Sequence, residues 1–390
     1  MFVMCSKRGC RPDAGAAEAL PGQDVFRVRL TGPEIHLLDV LYCDLHTAYA
    51  QYALAEPGGY HAEVLHLYEN FTYAAHTPMQ RDYLLGAHAF EVTAGESVRL
   101  AHHAAGGVPP CSRGRWVLGE EYRDELRMTC TMSHDTYACG EAVAQLSKRV
   151  ADASRLAWRP YDCPPLEEPA PEEVERCLRK RHVCFFGDSH MRHIYNSFVA
   201  MTEGGGRGDD FWRRERKTDG MVMDASRSSY FRNTWGDPGD MSACTDSFVN
   251  FGQWPASYEA GNRSWTAQQY ASKVGMLAEA LAAAKSEGKR VYWVTTNPFP
   301  LHAHLHVLNT DWRSDPELLL FNAIANRAMA TAGLDTVDVW HMAAPVAELS
   351  YDKSHFKGTL GYYIVLQFLS TVCRDAAPVA APPMIASSHR

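Results

Sequence analysis

Two regimes of hydrophobic spacing divide the chain. From Asp24 to His103 the apolar residues alternate in short runs: Phe26, Val28 and Leu30, then Ala62 and Val64, Phe90 and Val92, and Val98 and Leu100. A period of two puts successive apolar side chains on one face of a strand, and Gly or Pro stands between several of the runs, so residues 23–105 are expected to form a small β-sandwich-like domain. From Arg181 the pattern changes. His182 to Phe186 is a short apolar run, followed by Met191, Ile194, Tyr195, Phe198 and Val199 at the spacing of one helix face. Strands are then predicted at Phe248–Phe251, Val291–Thr295 and Thr336–Trp340, and helices at Thr266–Glu287, Pro316–Ala332 and Gly361–Cys373. Alternating strands and helices imply a parallel sheet flanked by helices, over residues 176–375.

Between these regimes residues 106–175 have little periodicity and carry Cys111, Cys130, Cys139, Cys163, Trp116 and Trp158. They are expected to be a connector stapled by disulfides, ending in the Pro- and acid-rich linker Glu167 to Glu173. Residues 1–22 and 376–390 are expected to be a disordered leader and tail. Gly204 to Gly208 is glycine-rich, but no strand leads into it, so it reads as a loop and not a phosphate cradle.

Composition narrows the functional classes. The 390 residues are 46% hydrophobic and 22% charged, as in globular proteins. The net charge is 38 − 46 = −8, without long like-charge blocks, which argues against a nucleic-acid partner. The most apolar run, Tyr362 to Cys373, is interrupted by Gln367 and falls short of the roughly eighteen residues of a membrane helix. The N-terminal residues as written lack the apolar core of a secretion signal. Eleven cysteines without a CxxC pair nevertheless suit an oxidising lumen, and sequons at Asn70 and Asn262 point the same way. Cys184, inside the apolar run before Gly187, is expected to be a free core thiol.

Candidate chemistry lies at Val183 to His193, VCFFGDSHMRH. A strand ending at Gly187, followed by Asp188, Ser189 and an amphipathic helix, exposes a serine hydroxyl at a strand-to-helix turn where backbone N–H groups can stabilise an oxyanion. Asp188 reads as the helix cap. A serine nucleophile needs a base and a carboxylate to fix the imidazole, and Asp352-Lys353-Ser354-His355, just before the closing helix, can supply both.

The pairing of Gly187-Asp188-Ser189 and Arg192 with a late Asp352 and His355 resembles the SGNH/GDSL hydrolase superfamily. It is similar in particular to the PC-esterase branch of trichome birefringence-like polysaccharide and sialic acid O-acetyltransferases. Cys111 to Val117 (CSRGRWV) looks like that branch's opening segment, Trp158-Arg159-Pro160 through Cys163 like its WxPxxC segment, and Asn250 to Trp254 (NFGQW) like its NxGxW strand end. The resemblance spans about residues 110–373.

It implies an SGNH-type sheet with Ser189 as nucleophile, His355 as base and Asp352 as its orienter, the Ser189 and Gly252 N–H groups as oxyanion donors, and no metal. Trp254 stands where the general SGNH pattern has Asn, so Trp254, Arg192 or a residue near Arg232 would supply any further donor. Trp235, Trp265, Tyr230 and Phe231 would offer aromatic faces to a sugar. The implied activity is carbohydrate O-acetylation through an acetyl-serine intermediate, with no bound cofactor and with acetyl-CoA or another acetyl carrier as co-substrate. The expected partner is a polysaccharide or glycan, and the implied location is the secretory-pathway lumen, in the Golgi, or outside the cell. A carbohydrate O-acetylesterase is the alternative. Two other readings compete: a metal-dependent phosphoesterase, in which Asp188 and His190 would bind metal, and a glycan-binding protein with a decayed site; the alternating His302, His304 and His306 could share one face and bind a metal but read as a solvent-facing loop end after Pro298 and Pro300.

Overall fold

Among the described residues, alternation in the N-terminal half gives a mainly antiparallel β region, and alternating strands and helices in the C-terminal half give a sheet flanked by helices. The computed structural model describes residues 23–42, 48–50, 52, 54–71, 80–93, 113–119, 156–161, 163–203, 222–237, 239–257, 264–299, 313–350, 355–356 and 358–373. The expected leader and tail, Cys111, Cys130, Cys139, Asn262, the 302–306 histidines and Asp352 lie outside them, as does the side chain of Asn70.

Eight strands come first: β1 (Gln23–Thr31), β2 (Glu34–Leu38), β3 (Val40–Tyr42), β4 (Ala48–Ala50), β5 (Gly58–Phe71), β6 (Gln80–Val92), β7 (Gly114–Leu118) and β8 (Leu156–Pro160). Six of them make one antiparallel sheet in the order β6-β5-β1-β2-β7-β8, beside the two-stranded pair β3–β4. This differs from the expected sandwich in two ways. Among the described residues a six-stranded sheet and the small β3–β4 pair stand where two packed sheets were expected, and the stretch expected to be a connector supplies the last two strands of the larger sheet. Each of those strands is only five residues long, too short for a periodic signal, yet Trp116 and Trp158 face each other across them and are fully buried. The C-terminal half covers this end of the sheet. The Trp116 indole donates to the Met342 carbonyl at 2.7 Å, and Arg27 donates to the Ala344 carbonyl at 2.6 Å.

The supposed linker turns into helix α1 (Pro171–Leu178), where Pro171 occupies the first turn and Val174, Cys177 and Leu178 face inward. Then follow β9 (Val183–Gly187), α2 (Ser189–Thr202), β10 (Val222–Asp224), β11 (Ser228–Arg232), β12 (Asp246–Val249), α3 (Ala267–Ser286), β13 (Arg290–Val294), α4 (Asp315–Thr331), β14 (Asp335–Val337), α5 (Trp340–Ala343), a 3-10 turn and α6 (Gly358–Cys373). The second sheet has the order β10-β11-β9-β12-β13-β14, parallel except for edge strand β10. The strand expected at Thr336–Trp340 stops at Val337. The Thr295 hydroxyl accepts the Val339 and Trp340 N–H groups and starts α5 there.

Two disulfides bracket this sheet, Cys177–Cys373 between α1 and α6 and Cys184–Cys244 between β9 and the approach to β12. Cys184 is therefore not the free thiol expected. Burial suited either state, and the partner that decides between them is sixty residues away in sequence. Cys163 is also oxidised. No helix among the described residues is long and apolar enough to cross a membrane.

Candidate active site

Strand β9 lies between β11 on one side and β12 on the other, so chain order reverses at its carboxyl end. That crevice is where open parallel sheets bind ligands. Gly187 closes β9 because the turn is crowded: a Cβ there would lie 2.5 Å from Cβ of Met191. Asp188 caps α2 through its carboxylate, which accepts the His190 N–H at 2.9 Å, and Ser189 becomes the first helical residue. The Tyr230 hydroxyl fixes the turn from below, donating to the carbonyls of Gly187 at 3.0 Å and Asp188 at 3.1 Å.

Facing this turn, His355 reaches back from the segment before α6, its Nε2 2.6 Å from Ser189 Oγ. An antiparallel bridge between Ser350 and Phe356 pins that segment. Rings of His190 and His193, both on α2, lie 4.9 and 4.6 Å from the His355 ring and hold it over the first turn. A neutral imidazole at this distance can take the serine proton as the hydroxyl attacks.

On the other side of β9, the chain leaves β12 through Asn250, whose N–H donates to the Phe186 carbonyl at 2.9 Å. Asn250 also donates its side-chain amide to Val294 O and Thr296 Oγ1, which locks the turn against β13. Gly252 follows, packed so closely that a Cβ would meet Thr296 Oγ1 at 2.2 Å. The two turns that would carry oxyanion donors are thus neighbours across the β9–β12 pair.

Three of the predicted aromatic residues come together. Trp235 stacks on Trp265 with centroids 5.8 Å apart and meets Trp254 edge-on at 5.8 Å, and all three are half-buried. Tyr230 is not part of that surface. It is 1% exposed, under the Ser189 turn, and burial pushes its phenol far above the ordinary range. It supports the turn and presents no face to a sugar; from sequence, the two faces of an unrecognised strand could not be told apart. Phe231 points the other way and stacks on Phe186 at 4.8 Å. Arg192 is half-buried on α2, and its charge bears on the Tyr230 phenol.

Sequence reading missed two groups. Arg313 lies 3.9 Å over the Phe299 ring, and its charge bears on Asp188. Asp338 and His341, with the same Asp-x-x-His spacing as Asp352 and His355, form a pair 2.5 Å apart at the end of β14. Burial works against charge on both, but each partner's charge prevails, raising the His341 pKa and lowering that of Asp338. Its spacing was the available signal.

No family model matches the chain, and no curated protein does. Among solved structures it is similar to a GDSL-like lipase from Bacteroides thetaiotaomicron, 13% identical, covering 54% of this chain and 93% of that one with a TM-score of 0.32. It is also similar to an acetyl xylan esterase, 15% identical, covering 49% and 99% with a TM-score of 0.31. A third is an alpha/beta hydrolase enzyme from the metagenome of Lake Arreo, 13% identical, covering 50% and 95% with a TM-score of 0.31. Likenesses this distant leave the reading of function to the chain's own residues.

Proposed function

We propose that the chain is a serine-dependent O-acyl enzyme of the SGNH/GDSL type, and that it acetylates carbohydrate hydroxyls. The observation that carries this is the 2.6 Å approach of His355 Nε2 to Ser189 Oγ at a strand-to-helix turn. In this reading Ser189 attacks the carbonyl of an acetyl donor, acetyl-CoA or another carrier, while His355 takes the serine proton. The Ser189 and Gly252 N–H groups receive the oxyanion, and His355 returns the proton to the leaving group. A sugar hydroxyl then attacks acetyl-Ser189, with His355 as base again and Asp352 as its orienter.

Water competes for the same acyl-enzyme, and the outcome depends on which nucleophile is held in place. The adjoining Trp235, Trp254 and Trp265 favour a bound sugar, since indole faces stack on pyranose rings and displace water. The disulfides support an oxidising compartment, in keeping with a secretory-pathway or Golgi location and with glycosylation at Asn70 and Asn262.

Hydrolysis of p-nitrophenyl acetate tests the nucleophile. Ser189→Ala and His355→Ala are each expected to lose well over nine-tenths of the rate, with the double variant no worse than Ser189→Ala. Retention of a tenth would mean that only about 1.4 kcal/mol of transition-state stabilisation had been removed, too little for a nucleophile. The ratio of acetylated oligosaccharide to free acetate at near-saturating acceptor then separates transferase from esterase. Predominance of free acetate with every acceptor, alongside ready deacetylation of acetylated glycans, would make the chain an esterase.

A further inference from the structure

Although the chain carries a net charge of −8, an exposed arginine stands on the strand next to the Ser189 turn. Arg232 ends β11 in register with Gly187, so its backbone stands one strand spacing, about 4.8 Å, from the strand that presents Ser189. Its side chain is exposed, with the guanidinium carbon 5.3 Å from the centre of the Trp254 ring. Among the described residues no carboxylate pairs with it. On the loop that follows, Asp237 is engaged by Lys273 at 2.5 Å, and Asp240 accepts the Ser242 N–H at 2.8 Å. Two further arginines stand on the neighbouring segments: Arg192 on α2, the helix that begins at Ser189, and Arg313, which donates to Gln253 Oε1 at 3.4 Å on the turn after β12.

A guanidinium resting on an indole face is oriented by it, while its in-plane N–H donors remain available to a planar oxyanion. Trp254 also meets Trp235 edge-on, and Trp235 in turn stacks on Trp265. We propose that Arg232 and Trp254 form a subsite for a carboxylate-bearing sugar, the guanidinium taking the carboxylate and the indole cluster the ring, so that the glycan served by Ser189 is an acidic one. This rests on the acyl-enzyme reading of the same site and adds the substrate class to it. The adjoining stacking faces are what favour a sugar carboxylate over a phosphate of the acyl donor, which the same fork could also bind.

The test is calorimetric titration of the Ser189→Ala protein, in which nothing turns over, with a galacturonic acid oligosaccharide, a neutral xylose oligosaccharide of equal length, and coenzyme A. The acidic oligosaccharide is expected to bind at least about ten-fold more tightly than the neutral one, the size expected of a charge-assisted hydrogen bond. Added Arg232→Gln should remove the preference, Arg232→Lys should keep part of it, and rising salt should weaken it. Arg232 is exposed, so matched thermal melts are expected for all three proteins. Equal affinities, no binding of either oligosaccharide, or a preference that survives Arg232→Gln would overturn the proposal. Coenzyme A binding that depends on Arg232 and displaces the acidic oligosaccharide would also overturn it, by assigning the cation to the donor. Hydrolysis of p-nitrophenyl acetate by the parent protein is read separately, so failure of the acyl-enzyme reading shows there and not in the titrations.

Discussion

Asp188 meets two opposed demands. Its carboxylate caps α2, and its position between β9 and α2 leaves it completely buried. Burial raises its pKa above the ordinary aspartate value, against the lowering effect of the His190 N–H, His355 and Arg313. The native state therefore holds this proton to higher pH than the unfolded chain does. Between the unfolded value and the raised one, native Asp188 binds more protons, so its contribution to stability falls as pH rises through that window. Asn keeps the acceptor oxygen for the cap and has no charge to bury. Asp188→Asn is accordingly expected to raise Tm at neutral pH and to change it little at about pH 3, where the carboxyl is protonated in both states. An equal shift at both values would show that charge burial is not the cause. The cap and the placement of Ser189 at the turn were both legible in the Gly187-Asp188-Ser189 tripeptide, because their geometry is local. The roles of Tyr230 and Arg313 were not, because they depend on which face of a distant element meets the turn.

Elements in the C-terminal half were legible wherever burial is periodic over many residues. Helix α3 runs from the Thr266 cap that its sequence announces, and the Gln269 side chain completes the capping box. Strand β11 went unread because Ser228 and Ser229 are buried polar residues in a five-residue strand, and β10 because it is only three residues long. Pairing between elements was less legible still, as Cys184 shows. Its bond to Cys244 ties β9, the strand that carries the nucleophile, to the segment entering β12. Chain-entropy arguments put closure of a sixty-residue loop at about 4 kcal/mol, an upper value when the unfolded chain is already compact. Replacing both cysteines by alanine should lower the guanidinium midpoint correspondingly. In the parent protein, denatured but not reduced, neither cysteine should take up an alkylating label in peptide mass spectrometry. Labelling of Cys184 under those conditions would refute the bond.

At the scale of the whole molecule, the alternating N-terminal strands suggested an independent domain, but the structure joins them to the α/β half through a shared core. Ile35, Trp116, Leu118, Leu156 and Trp158 from the first sheet pack in one cluster with Val339, Met342, Tyr363 and Ile364. Trp116 is central to the seam: it has no exposed surface, meets Tyr363 edge-on at 5.3 Å, and spends its indole N–H on the Met342 carbonyl. The consequence is mechanistic as well as structural, since Tyr363 belongs to α6, which follows directly on the segment carrying His355. Trp116→Ala would open a large cavity and orphan a buried carbonyl, at a cost of about 3–5 kcal/mol for the cavity alone. If the two halves share one core, that cost falls on both. Hydrogen exchange should then show lowered protection in β1 and β5 and in β9 and β12 together, with one unfolding transition by both probes. If Trp116→Ala loosens β1 and β5 while the amides of β9 and β12 keep their protection, the first sheet is an appended module and His355 is positioned without it.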